Sequence, residues 1–282
     1  GIKPFYYAKM NGTFMYASEI KSLLRHPDFV KELNAEALKP YMTFQYPAIG
    51  ETFFKGVYKL PEGHYFTYRD GKMDIHRYYD EDFREGKQKL GELVNSIDQT
   101  VCDSVKAHQI ADVEVGSFLS SGVDSSYVAA VARPQHTYSI GFGKGTYNES
   151  QQAGELAELL KLNNTAESLT DEEAFAAVPR IQWHLDEPDS NPSCVPLYFL
   201  SALAAKDVKV VLSGEGADEL FAGYIDYGVH TKFRPIKVVT RWLTHLPAGA
   251  RKAIARFCKG KTFPGAWHLY ANLAPAEESL IG

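Results

Sequence analysis

Eight residues, Leu119-Ser120-Ser121-Gly122-Val123-Asp124-Ser125-Ser126, constrain this chain more than any other stretch. They follow an apolar run, Val113 to Leu119, that reads as a buried strand, and they precede "YVAAV", Tyr127 to Val131, which reads as the start of a closely packed helix. A turn between a strand's carboxyl end and a helix's amino end exposes N–H groups that have no intrahelical partner. The helix dipole adds positive potential there, so main chain alone can hold a polyanion. Gly122 permits close approach or a positive φ, the serines add hydroxyl donors, and Asp124 can hold the divalent cation that accompanies a phosphate. An ordinary helix N-cap uses the same residue types. A Walker A loop is absent, because Gly143-Lys144 is followed by Gly145.

With 282 residues the expectation is about two domains. A net charge of −5 gives no electrostatic case for nucleic acid. The three cysteines, Cys102, Cys194 and Cys258, lack C-x-x-C spacing, which argues against a zinc cluster or a disulfide framework and fits a reducing compartment. No apolar run is long enough to span a membrane and no signal-peptide pattern opens the chain, so the expected location is cytoplasmic. The histidines show no His-x-x-x-His spacing, so no transition-metal site is proposed. The start Gly1-Ile2-Lys3-Pro4 and the end Ser279-Leu280-Ile281-Gly282 both read as cuts from a longer protein.

Residues 4–17 read as two strands around Asn11-Gly12, a strong hairpin signal. Ser18 to Leu24 reads as a short helix with Ser18 as N-cap. Alternating residues at 52–58, 65–68 and 73–79, the last pair separated by Arg69-Asp70-Gly71-Lys72, complete a β-rich, aromatic first part. "EDFREGKQ", residues 81–88, is a charged linker. Residues 89–107 carry Leu90, Leu93, Val94, Ile97, Val101 and Val105 at helical spacing, with Cys102 near the apolar face as plain core. Strand and helix then alternate: strands at 113–119, 136–142, 164–169 and 208–212, and helices at 125–132, 150–160, 171–184 and 195–205. Such alternation implies an α/β fold, a parallel sheet with helices on both faces. Ligands in such sheets bind beyond the carboxyl ends of the strands. The loops there are 120–125, 141–148 and Ser213-Gly214-Glu215-Gly216-Ala217-Asp218-Glu219. The acids of the last loop read either as a helix start or, opposite a phosphate loop, as magnesium ligands or holders of a substrate amine.

The first loop resembles the pyrophosphate-binding loop of ATP pyrophosphatases, usually Ser-Gly-Gly-x-Asp-Ser, with Ser121 where a glycine is common. "LSSGVDSS", "YSIGF" and "LSGEGADELFAGY" together resemble the synthetase domain of glutamine-hydrolysing asparagine synthetases, while "GIKPFYYA", "ASEIKSLL" and "LPEGHYFTY" resemble the last third of a class II, Ntn-type glutaminase domain. This resemblance divides the chain into residues 1–80, the linker 81–88, and an adenine nucleotide alpha hydrolase-like domain 89–282. The glutaminase nucleophile, an N-terminal cysteine, and the glutamine-binding residues belong upstream, so no glutaminase site is assigned.

The resemblance implies that ATP activates the β-carboxylate of aspartate as an aspartyl-adenylate, which glutamine-derived ammonia converts to asparagine. It implies a pyrophosphate cradle of Ser120, Ser121, Gly122, Val123, Asp124, Ser125 and Ser126. Adenine contacts fall on Leu119 and Ile140, and ribose or adenine-edge contacts on Ser213 and Gly214. Mg²⁺ falls to Asp124 and Asp218, and Glu215 takes a catalytic role beside Asp124, orienting the ammonia or accepting its proton. Asp186-Glu187-Pro188 through Ser193 resembles the family's "DEP…PS" segment near the substrate pocket, and an ordinary turn is its alternative. His184 reads as structural. Residues 232–261 read as amphipathic helices with basic faces. Two rival functions stand beside this one: a β-lactam synthetase or peptide cyclase, and a non-catalytic nucleotide-binding module. The oligomeric state is left open, with a homodimer as one option.

Overall fold

A computed structural model describes residues 3–82, 86–142, 149–224, 242–243 and 245–258. Residues 83–85 of the charged linker, 143–148 of the second strand-end loop and 232–241, 244 and 259–261 of the basic segment lie outside the described residues. The chain forms two compact units, Gly1–Gly214 and Glu215–Gly282.

The first unit opens with β1 (Tyr6–Met10) and β2 (Thr13–Ala17), joined as the Asn-Gly signal predicts. Asn11 and Gly12 both adopt positive φ, 49° and 83°, the twist a two-residue hairpin needs. Helix α1 (Ile20–Leu23) buries Ile20 and Leu23 against Ala8, Met15 and Val57. The expected strand 52–58 is confined to β3 (Val57–Lys59), which pairs with β1. Gly56, at φ 76°, turns the chain just before it, and the Glu51 carboxylate accepts its N–H. A helix the sequence reading missed, α2 (Leu38–Phe44), carries Pro40 in its first turn, where no intrahelical N–H is needed. Then β4 (His64–Arg69) and β5 (Lys72–Arg77) form the second expected hairpin, with Asp70 and Gly71 at positive φ.

From α3 (Leu90–His108) onward the fold is α/β. It continues with β6 (Val115–Phe118), α4 (Val123–Ala132), β7 (His136–Phe142), α5 (Glu149–Leu160), β8 (Asn163–Leu169), α6 (Asp171–Leu185), α7 (Cys194–Ala204) and β9 (Val210–Leu212). The four strands form one parallel sheet in the order β8-β7-β6-β9. Both faces are covered. Val115 and Leu212 pack with Val105 of α3 and Ala132 of α4, while Phe118, Tyr138, Ile140 and Val211 pack with Leu200, Leu203 and Ala204 of α7. Helix α6 begins with a capping box in which the Thr170 hydroxyl accepts from Glu173 N–H and Glu173 accepts from Thr170 N–H.

The end of α6 reaches the β-rich segment. Asp186 stands at φ 66° as the C-cap, and its carboxylate accepts the N–H groups of Ile20 and Lys21. Glu187 accepts Phe53 N–H at 2.9 Å. Ser18 is therefore not the cap of α1: Glu19 holds that position without using its side chain, and an acid from another part of the chain takes the free donors. The second unit contributes α8 (Ala217–Phe221) and α9 (Ala248–Cys258).

Ala129, fully buried in α4, meets Leu119, Ala153 and Ala157. Ala129→Leu should overpack this seam and lower unfolding stability by about 1–3 kcal/mol in a urea titration. Burial raises the Glu187 pKa above its ordinary 4.5, only partly offset by the Phe53 hydrogen bond and Lys59 and with a smaller push in the same direction from the Asp186 charge. The folded state then holds this proton more tightly than the unfolded chain, so the Glu187 contribution favours folding at low pH and is lost as pH rises through the folded value. Glu187→Gln should accordingly lose less stability than the wild type as pH is raised from 4.5 toward neutrality. Parallel stability curves for the two proteins over that interval would contradict this.

Candidate active site at the turn of the sheet

Strand order places the candidate site. From β6 the chain steps outward through β7 to β8, whereas β9 returns on the other side of β6. Between β6 and β9 the direction of progression reverses, and in open parallel sheets the crevice beyond the carboxyl ends at such a point is where ligands bind. The loop after β6 is Leu119–Gly122 and the loop after β9 begins with Ser213-Gly214, the two motifs singled out in the sequence.

The two loops touch through main chain. A methyl group added to Gly214 would lie 2.6 Å from Ser125 N and 2.9 Å from both the carbonyl carbon and Cβ of Asp124. Only a residue without Cβ permits this approach. Of the two expectations for Gly122, close approach or a positive φ, the second does not hold: it is the N-cap of α4 at φ −71° and ψ 149°, ordinary extended backbone. Having no side chain, it makes no side-chain cap of the helix. The first N–H groups of α4 consequently point out of the helix end with its positive dipole potential, a setting suited to an anion.

The serines brace the loop. Ser120 Oγ and Ser125 Oγ lie 2.7 Å apart, Ser120 Oγ accepts Gly122 N–H at 3.1 Å, and Ser125 Oγ accepts Ser120 N–H at 3.1 Å. Ser126 Oγ donates to Gly122 O at 2.6 Å. Ser121, Gly122 and Val123 are exposed on the loop, Val123 strongly so at 83%. Asp124 lies in the first turn of α4, partly exposed, where a carboxylate complements the dipole.

Beneath the loop, Leu119 is 2% exposed and packs on Ala129, Ala153 and Ala157. Its side chain is core, and any contact from Leu119 to a nucleotide has to come from its main chain. That main chain is already held: Leu119 N–H donates to Tyr138 O at 2.8 Å, and Ser139 Oγ donates to Leu119 O at 2.7 Å. Ile140 is part of β7, partly buried on the α7 side of the sheet. The structure thus brings together Leu119 through Ser126 and Ser213-Gly214, with Ile140 on the neighbouring strand.

Glu215 and Asp218 belong to the second unit. Gly216, at φ 92°, is the N-cap of α8, and Asp218 and Glu219 occupy its first turn. Gly223 N–H donates to Asp218 O at 2.9 Å, and a side chain at Gly223 would collide with the Asp218 carboxylate. Glu219, which accepts the Tyr224 hydroxyl at 2.7 Å, is held below its ordinary range by that bond, and Tyr224 is pushed up to about 12 by the same bond. Among the described residues no three His, Cys, Asp or Glu side chains gather to hold a metal. A magnesium ion held by one or two carboxylates and by substrate phosphates is compatible with that donor set.

Sequence reasoning missed two supports of the site. Tyr127 OH donates to Asp98 and lies 3.8 Å from Cys102 Sγ, tying α4 to α3; the bond to Asp98 raises the Tyr127 pKa. In the sheet, the buried Thr137 and Ser139 hydroxyls lie 3.0 and 3.1 Å from Asn164 Oδ1. No single residue of either group carries a motif. His184 was read as structural, and its carbonyl accepts from Lys21 Nζ at 3.4 Å.

Among the described residues no helix is long and apolar enough to cross a membrane. Residues 96–277 match the family model of asparagine synthase, and residues 1–79 match that of a glutamine amidotransferase domain. Asparagine synthetase (glutamine-hydrolysing) 1 of Bacillus subtilis (strain 168) is 38% identical over 287 residues, covering 100% of this chain and 44% of that protein. Asparagine synthetase 3 of the same organism is 28% identical over 246 residues, covering 79% of this chain and 40% of that protein. Among solved structures, an NH3-dependent NAD synthetase from Campylobacter jejuni aligns with a TM-score of 0.33 and 19% identity, over 46% of this chain and 60% of its own. The chain spans less than half the length of the curated relatives it matches. With an asparagine synthase match over well more than half its length, the chain belongs to the asparagine synthase family.

Proposed function

We propose that the protein of which this chain is part converts aspartate to asparagine at the expense of ATP, with ammonia supplied from glutamine. The observation that carries the reading is the main-chain contact of Gly214 with Asp124 and Ser125 at the turn of the sheet, which builds an anion cradle from two loops. Family membership names the substrates that this cradle would serve.

In the proposed reaction a β-carboxylate oxygen of aspartate attacks the α-phosphorus of ATP. The bond to the β,γ-phosphates breaks, and pyrophosphate leaves with its electrons. Ammonia then attacks the acyl carbon of the mixed anhydride, AMP departs, and the nitrogen sheds a proton. Adenylation is needed because a free carboxylate has no good leaving group. The chain's own part in the first step is electrostatic. The first N–H groups of α4 and the Ser120, Ser121, Ser125 and Ser126 hydroxyls hold the departing pyrophosphate, where charge accumulates. Leu119, Ile140, Ser213 and Gly214 bound the nucleoside. Asp124 of the first unit and Asp218 of the second are each proposed as carboxylates for Mg²⁺, which neutralises phosphate charge when bound. Glu215 would orient the ammonia or accept its proton in the second step.

ATP–pyrophosphate exchange on the parent protein, with Mg²⁺ and single amino acids, tests the reading. Exchange should require aspartate, and Asp124→Ala should lower it by about 100-fold. Exchange supported by a different carboxylate substrate and not by aspartate would retain the cradle and refute the asparagine assignment. In the same protein Gly214→Ala should weaken nucleotide binding measured by calorimetry while the far-ultraviolet circular dichroism stays unchanged, because the new methyl displaces Ser125 N from the cradle. Equal affinity in Gly214→Ala would remove the close approach from the argument.

A further inference from the structure

We infer that Asp186 is a positioning residue which latches the amidotransferase-type segment to the nucleotide sheet and so couples glutamine use to amide formation, an inference that rests on the function proposed above. Asp186 sits 166 residues beyond Ile20 in sequence, yet its Oδ2 accepts Ile20 N–H at 2.6 Å and its Oδ1 accepts Lys21 N–H at 3.3 Å. The same Oδ1 is 2.9 Å from Lys21 Nζ. One carboxylate therefore caps the amino end of α1 and neutralises the cation of its first turn. The side chains are 5% and 14% exposed, so the pair is shielded from competing water and salt.

The latch is rigid on the side of the sheet. Asp186 holds a left-handed φ of 66° as the C-cap of α6, a conformation that aspartate tolerates at a helix end. Lys21 Nζ is fixed further by the His184 carbonyl and lies 6.0 Å from the centre of the Trp183 ring. Beyond Asp186, the Gln182 amide clasps both the N–H and the carbonyl of Asp189. Asp189 and Asn191 each then accept the N–H two residues on, which carries the chain into α7. Leu203 and Ala204 of α7 pack on Tyr138, in the strand that carries Ile140 and, through Ser139, holds Leu119. A continuous series of contacts thus joins α1 to the floor of the candidate site.

The two joined parts match different family models, glutamine amidotransferase domain and asparagine synthase, and on the function proposed above the first belongs to the source of ammonia and the second to its use. Ammonia is small and is lost to solvent unless the two centres keep a fixed placement. A residue that fixes placement without touching substrate affects the yield of transfer, whereas a residue needed only for folding affects every activity together.

The test uses the parent protein with three readouts: aspartate-dependent ATP–pyrophosphate exchange, asparagine made from ammonium chloride, and asparagine made per glutamate released from glutamine. In Asp186→Ala the transfer yield should fall about fivefold or more. Exchange and the ammonium-driven rate should stay within about twofold, because the Asp186 carboxylate is taken up by Ile20 N–H, Lys21 N–H and the Lys21 ammonium rather than by the loops after β6 and β9. Asp186→Asn, which keeps an acceptor for Ile20 N–H but loses the charge facing Lys21, should fall between the two. It also serves as the milder variant if the alanine protein does not fold. An unchanged yield, or a parallel drop in all three readouts, overturns the latch while leaving the functional reading intact. A wild-type parent that makes no asparagine from ammonium and aspartate overturns that reading, and the latch with it.

Discussion

Everything at the candidate site depends on one close approach, the main chain of Gly214 lying against the start of α4. It requires β9 to lie beside β6, and it requires a residue without a side chain at that position, since any Cβ would press on Ser125 N. Neither requirement is local. Pairing of Val115 through Ser117 with Val210 through Leu212 brings together two loops nearly one hundred residues apart. The hydroxyl pair of Ser120 and Ser125 then braces the first loop from within.

Much of this was legible in the sequence because the signals were chemical and short-range. Asn11-Gly12 and Asp70-Gly71 specified their hairpins by backbone conformation. The strand at 136–142 was read with its observed bounds, and the helix at 171–184 differs by one residue. The loops after β6 and β9 were recognisable from glycine, serine and acidic residues at fixed spacing. Their mutual contact was not, because the sequence does not state strand order.

What stayed hidden depended on distant partners. Ser18 looks like a cap for α1, but a carboxylate from the far end of α6 takes that work, and no window of neighbouring residues contains that information. The alternation at 52–58 suggested a longer strand, yet Gly56 and Glu51 bend the chain and leave only Val57 to Lys59 paired. In each case tertiary packing overrode a local pattern that was chemically reasonable.

The buried hydroxyls of the sheet have a consequence for how its strands align. Thr137 and Ser139 share the Asn164 side chain, and Ser139 also holds the carbonyl of Leu119, so the ends of β6, β7 and β8 are tied at one level. A slip of two residues would keep every apolar side chain on its proper face, and the hydrophobic pattern alone would not oppose it. That slip would strip these hydroxyls of their partners inside the protein, at about 1–3 kcal/mol for each. Polar groups thus choose among alignments that the greasy residues treat as equivalent, and the level they choose is the one that sets the turn after β6 at the mouth of the sheet.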